Sequence, residues 1–413
     1  MIRPRSLSLL KNWLVIGGAR GLKLLSQVHI MNSVNDGHRP LIHLNHCGVS
    51  PLLGAATVAI ARGADDFRNW RNAPALGGNS LGRIRNAAAN LLRVKKETIA
   101  FIPNSAHGLN VIAHGLRLKE GDEILSYRYE YPSNHYPWVV QNRRGVRLIT
   151  FDGRSVDGLP HSFTADDVRQ AITPQTRVLA VSHVQFTSGF ATSLSLLGEL
   201  CRERGIIFVV DAAQSIGALP VHPDEVGVHA LVTSGWKWLR GPVGSGILYV
   251  SEKLQEQLDD LWVGPDMMVQ DEDYLNHSWQ PYPDARRFEF STAPLFSSVG
   301  LAAALEAHLQ AGGDEIVWKR LQERQEYLIA GLAPLGLNPI SLSVGDRAGI
   351  LSFPLKNISP DTLSAALNKR RIVCSSRGGY LRFAPHHDTS EALLDEAIAQ
   401  VGEVLEELSS APN

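Results

Sequence analysis

Short uninterrupted apolar runs recur along the first two thirds of the chain, with helical patterns between them. Ile99–Ile102, Glu123–Ser126, Arg147–Phe151, Val178–Ser182, Ile206–Val210, Ala230–Ser234 and Gly246–Val250 read as strands. Ala106–Leu116 and Leu194–Arg204 read as helices. A strand that is apolar on both faces belongs to a sheet covered on both sides. Strands that alternate with helices are joined by crossovers, so the pattern predicts an α/β fold with a mainly parallel sheet. Ligands in such sheets bind beyond the carboxyl ends of the strands.

After about Phe290 the pattern changes. Helical segments at Val299–Ala311 and Ile316–Leu335 precede strands at Gly349–Phe353 and Tyr380–Phe383. Asp388-Thr389-Ser390 then caps a last helix, with Leu393, Leu394, Ala397, Val401 and Leu405 along one face. This predicts a large domain over residues 61–290 and a smaller α+β domain over 291–413, which the segment 41–60 joins. Residues 1–40 read as an N-terminal extension outside the core. They carry Arg3, Arg5, Lys11, Arg20 and Lys23 before the first acidic residue, Asp36.

Composition narrows the function. The 413 residues carry 40 Lys and Arg against 41 Asp and Glu, a net charge of −1. No overall field draws the chain to nucleic acid or to an anionic membrane. No apolar stretch approaches the length of a membrane span. Cys47, Cys201 and Cys374 show neither metal-ligand spacing nor a disulfide framework, which fits a reducing, cytoplasmic setting. No metal site is expected, since the adjacent His386 and His387 lack ligand spacing.

The chemistry concentrates at strand ends. Asp211 closes the apolar run Ile206–Val210, and Lys237 follows the next strand on the turn Ser234-Gly235-Trp236-Lys237-Trp238. Asp211 alone would serve as a helix cap. Paired with a lysine on an apolar turn, it is the equipment of a pyridoxal phosphate enzyme, which needs a Schiff-base lysine and an acid to keep the pyridine nitrogen protonated. Gln214 is poised toward the cofactor's phenolic oxygen, and Ser234 toward its phosphate. Pro103-Asn104-Ser105-Ala106-His107-Gly108 joins a strand to a helix, and N–H groups at such a start cradle phosphate. Tyr131 follows another strand and offers a ring to stack on the pyridine. The glycines at 241, 244 and 246 precede a strand rather than a helix, so they are no dinucleotide fingerprint.

In this order the segments resemble the class V aminotransferase family of fold type I, which is similar to cysteine desulfurases, selenocysteine lyases, kynureninases and isopenicillin N epimerases. The matching pieces include Leu44-Asn45-His46, Asn104-Ser105-Ala106-His107, Glu130-Tyr131-Pro132-Ser133-Asn134 and Ser182-His183-Val184-Gln185. Asp211-Ala212-Ala213-Gln214, Ser234-Gly235-Trp236-Lys237, Arg287-Phe288-Glu289-Phe290-Ser291-Thr292 and Arg377-Gly378-Gly379-Tyr380-Leu381-Arg382 complete them. The resemblance implies that Ser105 and the Ala106 and His107 amides hold the phosphate, and that Gln185 sits near the phenolic oxygen. It implies that Thr292 reaches the phosphate of a neighbouring subunit in a homodimer, and that Arg382 clamps the α-carboxylate of an amino-acid substrate. Trp236 departs from the histidine that many relatives carry at that position.

The expected reaction is transamination or β-elimination at an amino acid, with Lys237 moving the α-proton. Epimerisation is the alternative. It would draw on Asn45-His46-Cys47-Gly48, with His46 or Cys47 as a second acid/base near the substrate. A cysteine desulfurase needs a nucleophilic cysteine on a loop before the carboxylate-binding arginine. Cys374 lies on the correct side of Arg382, but in an apolar, strand-like run.

Overall fold

The computed structural model describes residues 40–71, 73–270 and 273–410, so the reading of residues 1–39 as a basic extension lies outside the described residues. A two-residue strand, β1 (Ile42–His43), precedes helices α1 (Gly54–Arg68) and α2 (Ala73–Leu92). Strand β2 (Ile99–Ile102) then leads into helix α3 (Ser105–Gly115). Strands β3 (Glu123–Tyr127) and β4 (Arg147–Phe151) follow, then a hairpin of β5 (Arg154–Val156) and β6 (Leu159–Ser162) and helix α4 (Ala165–Ala171). Next come β7 (Thr176–Ser182), α5 (Leu194–Arg204), β8 (Ile207–Asp211), β9 (Ala230–Ser234) and β10 (Gly246–Val250).

The central sheet has the order β2-β10-β9-β8-β7-β3-β4. The pairs β3–β4, β3–β7, β7–β8 and β8–β9 are parallel, whereas β10 runs antiparallel to both β9 and β2. The reversal has a local cause. The turn from Gly235 to Ser245 is shorter than the dozen or more residues that a crossover to a parallel strand takes, so β10 folds back on β9. Side chains alternate between the two faces. Phe208 and Val210 join one apolar cluster, and Val209 joins the other. Both faces are dry, which is why these strands read as continuous apolar runs.

Helices α6 (Leu295–Gln310) and α7 (Gly313–Leu332) lead to β11 (Leu351–Pro354) and α8 (Pro360–Lys369). Strands β12 (Ile372–Val373), β13 (Ser375–Arg377) and β14 (Tyr380–Phe383) and the last helix, α9 (Glu391–Ser410), complete the chain. A three-stranded sheet, β11-β14-β13, packs with α9 around Phe353, Leu381, Phe383, Leu394 and Val401. Ile42 and Leu44 enter this same cluster, and β1 pairs in parallel with β12. Helix α6 was placed by its sequence position in the smaller domain. It packs instead on α1 and α2, and its Leu301, Ala302 and Leu305 lie in a core cluster of the large sheet. Among the described residues no helix is long and apolar enough to cross a membrane.

Candidate active site

Four strands point their carboxyl ends at one cavity of about 330 Å³, and the loop after a fifth, β3, closes it. From β2 come Asn104, Ser105 and Ala106, and from the loop after β3 comes Tyr131. Phe186 follows β7, Asp211 ends β8, and Ser234 and Lys237 end and follow β9. Strands β13 and β14 add Arg377 and Arg382, and the segment after β1 adds Cys47.

Asp211 is held in the β8 ladder opposite Ser182 and Val232, so backbone pairing fixes its direction. Burial raises its pKa, against the Lys237 charge and a hydrogen bond from the Ala213 amide (2.9 Å), which lower it. Burial likewise lowers the Lys237 pKa, against the Asp211 charge, which raises it, while the Arg382 charge adds to the lowering. The amine lies 5.7 Å from the centroid of the Tyr131 ring, which packs edge-on against Phe186. A lysine moved toward its neutral form beside a buried acid is suited to act as a nucleophile and to carry a proton.

The turn that carries Lys237 is clamped by distant segments. The Ser50 amide donates to the Trp236 carbonyl (2.9 Å), and the Ser50 hydroxyl donates to the Lys237 carbonyl (2.6 Å). Gln214 spans the same region. Its Nε2 donates to the Cys47 carbonyl (2.8 Å), and its Oε1 accepts from the Trp238 indole (3.2 Å). The amide expected to meet the cofactor's oxygen thus ties the N-terminal segment to the lysine turn.

Ser105 and Ser234 place their hydroxyls 2.9 Å apart at the start of α3. The His107 amide, expected to bind phosphate, is taken by the Asn104 side chain (2.8 Å), which caps α3. The Ser105 and Ala106 N–H groups, among the first four of the helix, have no intrahelical acceptor and lie beside the cavity. Gln185 is also displaced from its expected place. Its Nε2 donates to Glu130 (3.0 Å), and it does not line the cavity. The buried Glu130 also accepts from the Ser182 amide (2.7 Å) and from Asn134 (3.1 Å), so it ties the Tyr131 loop to the end of β7.

Arg382 is 4 % exposed on β14. One Nη donates to the Phe186 carbonyl and the other to Ser375 Oγ (2.9 Å). Its Nε has no partner among the described residues. Ser375 in turn donates to Asn45 Oδ1 (2.9 Å), so Asn45 reaches Arg382 only through Ser375 and does not line the cavity. His46 is also absent from the cavity wall. Because Ser50 gives its only hydroxyl proton to Lys237, it accepts from His46 Nδ1 (2.8 Å). Burial holds the His46 pKa well below its usual value. A neutral imidazole with its proton committed to Ser50 is no second acid/base for the substrate, so of the two groups expected in that role only Cys47 stands at the cavity. Thr292 is exposed and lies outside this cavity.

Two residues that the sequence reading passed over matter here. Arg377 stands at the cavity beside the turn Gly378-Gly379, and Ser50 secures the lysine turn. Paired glycines before Tyr380 signalled the hairpin and hence Arg377, whereas nothing local marked Ser50.

Cys374 is 5 % exposed, and burial pushes its thiol up to about 12. It points to Ser364 of α8, with Sγ 3.7 Å from Oγ, and is not part of the cavity wall.

The donor set can be tested against pyridoxal phosphate. A buried carboxylate matches a pyridine nitrogen and an amine matches an aldehyde. A hydroxyl pair at a helix start matches a phosphate, and an unpartnered buried guanidinium N–H matches a carboxylate. The residues fit the group. Among the described residues no cluster of three or more His, Cys, Asp or Glu could hold a metal ion.

Residues 76–389 match the profile of the Aminotransferase class-V family. A probable cysteine desulfurase of Methanothermobacter thermautotrophicus is 26% identical over 347 residues, covering 80% of this chain and 84% of that protein. One from Pyrococcus abyssi is 28% identical over 301 residues, covering 71% of this chain and 72% of the relative. Among solved structures, a cystine C–S lyase in complex with cysteine persulfide superposes with a TM-score of 0.80 at 23% identity, over 89% of this chain and 99% of that one. A cysteine desulfurase from Thermococcus onnurineus NA1 does so with 0.78 at 23%, over 89% and 95%. The chain therefore belongs to the class V aminotransferase family, and it is a pyridoxal phosphate-dependent enzyme of fold type I.

Proposed function

We propose that this enzyme is a lyase that cleaves a Cβ–S bond, or a bond to a similar leaving group, in a small amino acid. The observation that carries this reading is the hairpin before Arg382. Between β13 and β14 the chain turns on Gly378 and Gly379 alone. That turn leaves no loop on which a cysteine could move to the substrate, and Cys374 is buried against α8. A sulfur freed here has no protein thiol at that position to accept it, so it leaves as a small product.

Pyridoxal phosphate, when bound, supplies an aldehyde to hold the substrate amine and a ring that draws electron density from Cα. Ser105, Ser234 and the start of α3 would hold its phosphate, Asp211 its ring nitrogen and Tyr131 its face. Arg382 would bind the substrate carboxylate through the N–H groups that Phe186 and Ser375 leave free. Lys237 Nζ would take the Cα proton, and sulfur would depart with the electron pair of the Cβ–S bond. Thr292 would complete the phosphate site of a second copy. Its exposure and the exposed apolar run Leu261, Trp262 and Val263 support that reading.

A second reading, cysteine desulfurase, is favoured by the names of the relatives and by Cys47 at the cavity wall. Product analysis separates the two. The holoenzyme is given L-cysteine, L-cystine and amino acids lacking a β-leaving group, and keto acid, ammonia, sulfide and alanine are measured. The lyase reading expects keto acid and ammonia with sulfide or persulfide, unchanged in Cys374→Ala and Cys47→Ala. Alanine as the product, lost in Cys47→Ala, establishes the desulfurase. Keto acid from amino acids without a leaving group establishes a transaminase.

A further inference from the structure

Arg377 lines the cavity without a counter-charge. Among the described residues no carboxylate pairs with it, and its side chain's one hydrogen bond runs from Nη1 to the carbonyl of its neighbour Ser376 (2.8 Å). The other N–H groups of the guanidinium are uncommitted. The cavity wall carries three basic side chains, Lys237, Arg377 and Arg382, and one carboxylate, Asp211. Asp211 faces Lys237, and Arg382 takes the substrate α-carboxylate in the proposed reaction. Arg377 is the surplus.

The hairpin fixes where this surplus lies. Ser375 stands opposite Arg382, and Arg377 opposite Tyr380. Residues two apart on a strand share a face, so both arginines project from one face of the hairpin, as diagonal neighbours about 7–8 Å apart at the backbone. Leu381 and Phe383 project from the other face into the apolar core. The arginine face meets the segment after β7. Arg382 donates to the Phe186 carbonyl, and a Cβ on Gly378 would come within 2.7 Å of Thr187 Cγ2. Arg377 therefore belongs to the carboxylate end of the cavity and not to the cradle of Ser105 and Ser234. Tyr380, across the ladder, gives its hydroxyl to the Pro160 carbonyl (2.9 Å) and does not compete. Arg382 is buried and Arg377 exposed, so the pair runs from the floor of the site to its mouth.

We propose that Arg377 is a specificity residue that binds a second anionic group, carried on the part of the substrate that departs with sulfur. The substrate class is then an amino acid whose β-thio substituent ends in a carboxylate or a comparable anion. The choice of the bond that breaks rests on the lyase reading, whereas the recognition of charge does not. A guanidinium suits a carboxylate because both are planar and pair through two parallel N–H groups.

The test uses two ligands of one shape, S-carboxymethyl-L-cysteine and S-carbamoylmethyl-L-cysteine, which differ by a carboxylate against an amide. Each is mixed rapidly with the holoenzyme, and its dissociation constant is read from the change in visible absorption before product forms. The wild type should hold the carboxylate about fivefold more tightly, the upper end for an exposed ion pair, and the margin should shrink with added salt. Arg377→Gln should bring the ratio of the two constants to about one, and Arg377→Lys should keep part of the preference. Equal affinities in the wild type, or a preference that survives in Arg377→Gln, overturn the proposal. A general loss of fold or cofactor weakens both ligands alike and leaves the ratio standing, so it cannot imitate the expected result. The titration breaks no bond, so its outcome is separate from the product analysis that decides the lyase reading.

Discussion

Lys237 and Asp211 shift toward their neutral forms in the same cavity, and each weakens the shift of the other. Lys237→Ala should abolish the bleachable colour of the holoenzyme and lower turnover by roughly 10²–10⁴-fold, the usual worth of a positioned acid/base; a coloured, active variant would exclude the assigned role. Asp211 gives a test with a sign. Its folded-state pKa lies above the unfolded value, so the folded chain holds the proton more tightly. Stability of the cofactor-free chain should therefore fall as pH rises from the unfolded carboxyl value through the raised one. Asp211→Asn should remove that fall, giving a higher melting temperature than wild type at neutral pH, measured calorimetrically. In the holoenzyme the same change should weaken cofactor retention, because the ring nitrogen loses its anion. A drop in cofactor-free stability would show that Asp211 is not a strained, functional acid.

The hairpin of β13 and β14 is the element that sets both arginines. Ser375 pairs with Arg382 and Arg377 with Tyr380 across the turn. Gly378 and Gly379 take φ values of 56° and 85°, a region where a side chain costs about 1–2 kcal/mol. A Cβ at Gly379 would also come within 2.4 Å of Leu159 Cδ2, on β6. Gly379→Ala should thus destabilise the fold by about that amount or more, and should raise KM more than it lowers kcat, because the displaced group binds the carboxylate. Unchanged KM with reduced kcat would separate Arg382 from substrate binding. Helix α3 offers a milder case. Losing the Asn104 cap in Asn104→Ala should cost about 1 kcal/mol in denaturant unfolding and should free the His107 amide.

At the scale of the whole molecule, the sharing of sites between copies is open to a mixing experiment. If Thr292 completes the partner's phosphate site, Lys237→Ala and Thr292→Ala subunits should each be impaired alone, and subunit exchange between them should restore about a quarter of wild-type activity. A monomer in sedimentation, or no recovery, would remove that proposal. The sequence by itself determined the strands of the main sheet and the residues at their ends. Apolar runs such as Ala230–Ser234 leave few alternatives, and a polar residue at the end of a dry strand has to face the ligand side. Lys237, Asp211, Ser105, Ser234 and Tyr131 were legible for that reason and Arg382 through the family resemblance, and the structure brings all six to one cavity. Only the tertiary structure decided which of the remaining polar groups were already engaged. His46 serves Ser50, His107 gives its amide to Asn104, Gln185 serves Glu130, and Gln214 staples Cys47 to Trp238. Those partners lie far apart in the chain or depend on rotamers. A hydrogen bond is a property of positions in space, whereas periodicity records only which face of an element is dry.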